Sequence, residues 1–453
     1  MLGAERHPAR RLPLSSVSPA EASSWPDDLD SVIHVVAATT VPLLLQPRSW
    51  INRKVETIEF VHDRRVRRHV SVDFTLPDLE GLPVTAASGQ SIAFVPLAQL
   101  RKQVLRSFDI VDEAGVAVPM LTAEQNERIA RELLRQLAGD ALAPAWPRRK
   151  VLDRLDRIAG TDAIDALAAL KEVEAAAAPV EGLPDLDFAA LWANAVARPL
   201  MQDLAEHFVL FVAIDARAGE RRVLKFVYDG ELTWANKAWR RQVEERLGLN
   251  PVVLHVLAPA IGATHSYHAE VPAPGDLVIA QARLLDSETA NDLCAPDRTP
   301  DRAHLWTTSK KREQEGTIEL ELRVGARGLY GAAVWISVLA TLLFGVGFVF
   351  RLAFSVHTRA EPAAAIVIVL PALFATYLWR PGEHPLVQRL VSGLRVMITA
   401  FAVLSFIAAA VLAVEVHTWF RLLVWIVAFV LSTAMSSVIV YGYVRSRRFV
   451  TET

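Results

Sequence analysis

Four long uncharged runs occupy the last quarter of the chain, and no other feature narrows the possible folds so far. They are Leu329–Phe350, Pro362–Trp379, Val396–Val414 and Leu422–Val444. A helix of about 20 apolar residues crosses the hydrocarbon core of a bilayer. One such run is compatible with the core helix of a soluble body. Four in succession, joined by short polar loops, leave no helices to form a soluble shell. The sequence therefore predicts an all-α bundle of four transmembrane helices over 329–453.

Arginines in the loops predict the orientation. One side of an even-numbered bundle owns Arg323, Arg327, Arg380, Arg389, Arg395, Arg445, Arg447 and Arg448; the other owns Arg351, Arg359 and Arg421. This bias places both termini in the cytoplasm of a multi-pass cell-membrane protein. The first residues lack the apolar core of a signal peptide, in agreement. The apolar run Val32–Leu45 carries His34 and Pro42 and is too short to span. Aromatic residues sit near the ends of the spans, at Tyr330, Trp335, Tyr377, Trp379, Trp419, Tyr441 and Tyr443, where amphipathic rings favour the headgroup level; Trp425 lies deeper.

Close helix packing in lipid uses small residues four apart. Ser405, Ala409 and Ala413 form such a stripe on the third run, and Ala428, Ser432 and Ser436 on the fourth. These two helices are the expected intimate antiparallel pair. Between the second and third runs, Leu386, Val387, Leu390, Val391 and Leu394 recur at helical spacing after Pro385. That stripe predicts a cytoplasmic extension of the third span in contact with the body ahead of it, or an interfacial helix. No ionisable residue sits in the middle of any run, which argues against an ion pump with a buried charge relay and leaves a passive pore open.

The first three hundred residues are charged and mixed, and predict an α+β body, antiparallel and β-rich with a helical insert. Its expected divisions are a disordered arm over 1–30, an α+β region over 31–138, a helical connector over 139–186 and a β-rich region over 187–328. Ile58, Phe60 and His62 alternate, as do Val70, Val72, Phe74 and Leu76, predicting a hairpin that turns near Asp63-Arg64-Arg65. Phe108–Met120 reads as a second hairpin. Thr122-Ala123-Glu124-Gln125 is a capping box for a helix reaching Leu137, and another helix is expected over Phe188–His207. Strands are expected at Phe208–Ile214, Val223–Tyr228, Val252–Leu257, Tyr267–Val271 and Leu277–Leu285. The clearest is the alternation Ile318, Leu320, Leu322 and Val324, which ends only a few residues before the first apolar run.

The net charge of −2 gives no reason to seek polyanions, and nucleic acid is not an expected partner. The single cysteine, Cys294, excludes an internal disulfide. There is no phosphate-binding loop and no HExxH or GxSxG motif, so no cofactor and no catalytic residue is expected. The best metal candidate is His265, His268 and Glu270, the last two on one face of a strand; a solvated strand face is the commoner origin of such a pair. Arg64, Arg65, Arg67 and Arg68 form the densest basic cluster, suited to lipid headgroups or phosphate, or simply to a solvated hairpin beside Glu56, Glu59 and Asp63.

The reading these features favour is a non-enzymatic multi-pass protein. A cytoplasmic domain binding a ligand or protein partner would be coupled to a membrane domain that acts as a pore, an effector or an anchor, with homo-oligomerisation open. The alternative is a membrane-anchored enzyme with its site at 265–270.

Overall fold

A computed structural model describes residues 29–79, 81–82, 84–85, 91–102, 106–142, 148–178, 184–215, 217–235, 238–259, 261–294, 297–308, 315–325, 329–349, 384–413 and 417–451. The expected arm at 1–30 falls almost wholly outside these residues, and the second apolar run, Pro362–Trp379, falls outside them entirely.

The chain forms two compact units that interleave in sequence. The consecutive divisions at 138, 186 and 328 do not follow them. The first unit takes Met1–Gln46, Thr75–Gln103 and Ala117–Arg221; the second takes Pro47–Phe74, Val104–Val116 and Arg222–Thr453.

The first unit contains α1 (Leu29–Leu45), α2 (Ala123–Leu142), α3 (Arg149–Ala159), α4 (Ala163–Ala177), α5 (Leu186–Ala193) and α6 (Ala197–Glu206). A three-stranded sheet of β3 (Val84–Thr85), β4 (Ser91–Arg101) and β6 (His207–Asp215) completes it, in the order β3-β4-β6. The capping box forms as expected: the Gln125 N–H donates to Thr122 Oγ1, and the Thr122 N–H to Gln125 Oε1. Asn126, buried one turn into α2, accepts from the Phe211 N–H at 3.1 Å and donates to the Leu121 carbonyl at 3.0 Å, pinning helix to sheet.

Two expectations change here. The segment expected as a connector supplies core, with Val151, Leu155 and Ile158 on α3 and Ala166, Ala169 and Val173 on α4 fully buried. Its alanines are small enough to bring helices together, which composition alone does not reveal. The single helix expected at Phe188–His207 is two helices, because the Asn194 side chain accepts from the Val196 and Ala197 N–H groups and caps a new start.

The second unit carries two sheets. One has seven strands in the order β12-β13-β10-β1-β2-β7-β5: β12 (Asp297–Thr299), β13 (Arg302–Thr307), β10 (Ser266–Pro272), β1 (Ile51–His62), β2 (Arg65–Thr75), β7 (Arg221–Glu231) and β5 (Asp109–Val111). The other is β11-β14-β9-β8, made of β11 (Leu277–Asp286), β14 (Gly316–Val324), β9 (Val252–Ala258) and β8 (Thr233–Trp234). The β1–β2 hairpin turns at Asp63-Arg64, as the alternation predicts. The second hairpin closes at its turn, where the Asp112 N–H donates to the Val116 carbonyl at 2.9 Å, but its first arm, β5, pairs with β7. The sheets are antiparallel as expected, except that β1 and β10 run parallel, Glu56 opposite Ala269. Inward residues of both sheets, including Ile58, Val66, Leu254, Val256, Ala269, Leu284, Leu320 and Leu322, share one core.

The same unit continues into α7 (Trp239–Arg246), α8 (Leu329–Val349), α9 (Pro385–Leu390), α10 (Ser392–Ala413) and α11 (Thr418–Thr451). Two stretches, Ser392–Val411 and Thr418–Arg447, are long and apolar enough to cross a membrane, and Tyr330–Val346 is a shorter apolar helix. Only a minority of the residues in either long stretch is buried. Large side chains such as Trp335, Leu339, Phe406, Ile407, Val430 and Leu431 stand exposed on these helices.

The third and fourth runs pack on each other, and the first and fourth pack more closely still. The Ser436 hydroxyl on α11 donates to the Ser337 carbonyl on α8 at 2.8 Å and lies 2.7 Å from Thr341 Oγ1. Gly345 faces Phe429, and Phe344 meets Trp425 edge-on at 5.8 Å. The reason is a small-residue stripe on α8 (Ala333, Ser337, Thr341, Gly345) that matches Ala428, Ser432 and Ser436 on α11. Ser405 and Ala409 on α10 are buried; the Ala413 side chain lies outside the described residues.

Candidate functional site: the junction of sheet and helices

The second unit fastens α9 and α11 to its β-sheets and α8 to the loop between α7 and β9, and the fastening begins at the tip of the β1–β2 hairpin. The Asp63 carboxylate accepts from Arg389 of α9 at 2.9 Å. The Asp63 carbonyl accepts from Trp234 Nε1 at 2.7 Å, and the Arg389 guanidinium lies 4.0 Å from the centre of the Trp234 ring. One aspartate thus holds both partners of a cation–π contact. Partial burial pushes the Asp63 carboxyl up, but the His62 and Arg389 hydrogen bonds and the Arg389 charge outweigh it, leaving the pKa below the usual carboxylate value.

His384 sits one residue ahead of α9. Its Nε2–H donates to the Phe60 carbonyl at 2.6 Å, while its Nδ1 accepts from the Leu386 N–H at 3.2 Å. These two contacts together assign the Nε2–H tautomer. Pro385 follows at the first helical position, as the sequence predicts. The stripe Leu386, Val387, Leu390, Val391 and Leu394 is wholly buried, so this segment contacts the body, as expected of an extension of the third span, with a break at Val391 before α10.

The other two helices are held by shape as well as by hydrogen bonds. Tyr330, at the start of α8, is fully buried inside the protein. Its ring lies against Gly248, whose φ of +71 favours glycine, and against Gly442 of α11, where an added Cβ would fall 2.0 Å from the Tyr330 hydroxyl. At the end of α11, Ser446 donates to the Val324 carbonyl at 2.9 Å, and Arg445 donates to the Leu249 carbonyl at 3.1 Å and to Asn250 Oδ1 at 3.2 Å. Gly393 of α10 comes so close to the Arg246 carbonyl that an added Cβ would lie 2.6 Å from its oxygen.

The basic cluster is divided by the strand alternation. Arg64 is exposed at the turn, Arg65 is half-buried, and Arg67 pairs with Asp229 at 3.0 Å. Arg68 points inward. It is almost fully buried and pairs with Glu56, also fully buried, while Lys54 and the Tyr267 hydroxyl complete the surroundings of that carboxylate at 3.1 and 2.7 Å. Burial pushes the Glu56 carboxyl up, and Lys54, Arg68 and the Tyr267 hydrogen bond pull it further down, so the net shift is downward. The run of charges that reads as surface in sequence therefore supplies one arginine to the core.

The residues read as metal ligands stay on the outer face. His265 is exposed in the turn before β10. His268 stacks on His304 with ring centres 5.5 Å apart, and Glu270 is ion-paired with Arg302. Burial, with the charges of Arg53 and His304, holds His268 below the usual histidine value. Among the described residues no group of three or more His, Cys, Asp or Glu side chains could hold a metal ion. The sequence matches no family model and no curated protein.

Proposed function

We propose that this is a multi-pass membrane protein in which a cytoplasmic sheet domain senses a ligand or partner and passes the resulting strain to a bundle of four spans. The observation that carries the reading is the junction: α9–α10 and α11 are joined to the sheets by hydrogen bonds and an ion pair, and α8 is locked through Tyr330 into the loop between α7 and β9. A flexible tether would serve an anchor; a rigid one transmits displacement. Exposed apolar side chains on these helices support their placement in lipid.

Reconstitution tests it. Vesicles carrying the full-length protein should pass ions or a small dye, and Arg389→Ala, which releases α9 from Asp63, should alter that flux. Flux equal to that of protein-free vesicles would remove the effector reading and leave an anchor. The alternative, a membrane-anchored enzyme around 265–270, has the His268–His304 stack in its favour; a reaction lost in His268→Gln with the fold intact would establish it.

A further inference from the structure

We infer that α7 is an interfacial anchor that inserts Trp239 and Val243 into an anionic lipid surface. This rests on the membrane reading above, but on different residues. Trp239 and Val243 lie four apart on one face of α7 and are 72% and 44% exposed. Arg240 and Arg246, one on either side of that face, are exposed too, as is Arg241 on the opposite face, and among the described residues none of the three has an ion-pair partner. An apolar face carrying tryptophan and flanked by such arginines suits the boundary between acyl chains and phosphate headgroups.

The position of α7 supports that occupant. The helix packs on α9 and α10. The carbonyl of its last residue, Arg246, abuts Gly393 at the start of α10, and the next residues meet Tyr330 at the start of α8 and Arg445 near the end of α11. All three are places where an apolar helix begins or ends, so α7 lies at the level where those helices leave the lipid. Its cations then complement headgroup phosphates.

The test uses nitroxide labels on the full-length protein in vesicles, with Cys294→Ser as background. Labels at Trp239→Cys and Val243→Cys should collide more often with oxygen than with a water-soluble nickel chelate when the vesicles contain anionic lipid. Arg240→Glu with Arg241→Glu, or purely zwitterionic vesicles, should return both labels towards the chelate. A label at Val430→Cys reports separately whether α11 is in lipid: if it is water-accessible, the membrane reading itself fails. With Val430 in lipid, chelate-accessible labels at 239 and 243, labels shielded from both reagents, or a depth independent of lipid charge would each overturn the anchor.

Discussion

The β1–β2 hairpin carries an ion pair in its middle and another at its tip, and their surroundings differ. Glu56 and Arg68 sit between two sheets with almost no exposure, whereas Asp63 and Arg389 remain partly open to solvent. In the middle, each charge depends on the other because neither has water to fall back on. At the tip, water can replace either partner, so the pair adds little stability while joining residues 326 positions apart. The first pair serves the integrity of the domain, and the second its connection to the helices.

The largest expected effect breaks the middle pair. Glu56→Leu leaves Arg68 buried without a counter-charge and should cost about 3–5 kcal/mol in detergent-solubilised unfolding. Adding Arg68→Met should restore most of the loss; no recovery would show that the pair is not the source. Gly393→Ala sets a methyl against the backbone of Arg246, which cannot turn aside, and should cost about 1–3 kcal/mol, read in the same way. Asp63→Asn should change stability by less than about 1 kcal/mol. The Asp63 pKa is depressed, so its contribution is complete above the unfolded carboxylate value and disappears as the pH falls through the lower, folded one. A pH titration of unfolding should show that dependence in the native protein and lose it in Asp63→Asn. Smallest of all, Arg157→Ala, which removes exposed pairs with Asp165 and Glu172 in the other unit, should leave the unfolding midpoint unchanged.

Local patterns are legible in the sequence and distant ones are not. The alternation in β14, the turn at Asp63, the Thr122 capping box and the stripe after Pro385 each declare themselves within a few residues, because one turn or one strand face sets the spacing. The parallel pairing of β1 with β10 has no local mark. The inward turn of Arg68 is hidden because its neighbours in sequence face solvent, and only the strand parity separates them. The stripe on α8 is readable in the same way as those on the later helices, but Thr341 and Gly345 do not stand out in so apolar a run. Of the junction, only the contact of the 385–394 stripe can be anticipated. The place of Tyr330 near a helix end points to lipid, whereas the glycines that enclose it lie far off in sequence.

The parallel pairing has a consequence for synthesis. Glu56 and Tyr267 are separated by 211 residues, so the early hairpin leaves the ribosome long before the strand that completes its outer edge exists. Until then it presents an unpaired edge and a half-covered carboxylate. Such non-local closure slows folding, and chaperones that shield exposed strands during translation should associate with nascent chains that end before β10 and release those that extend past it.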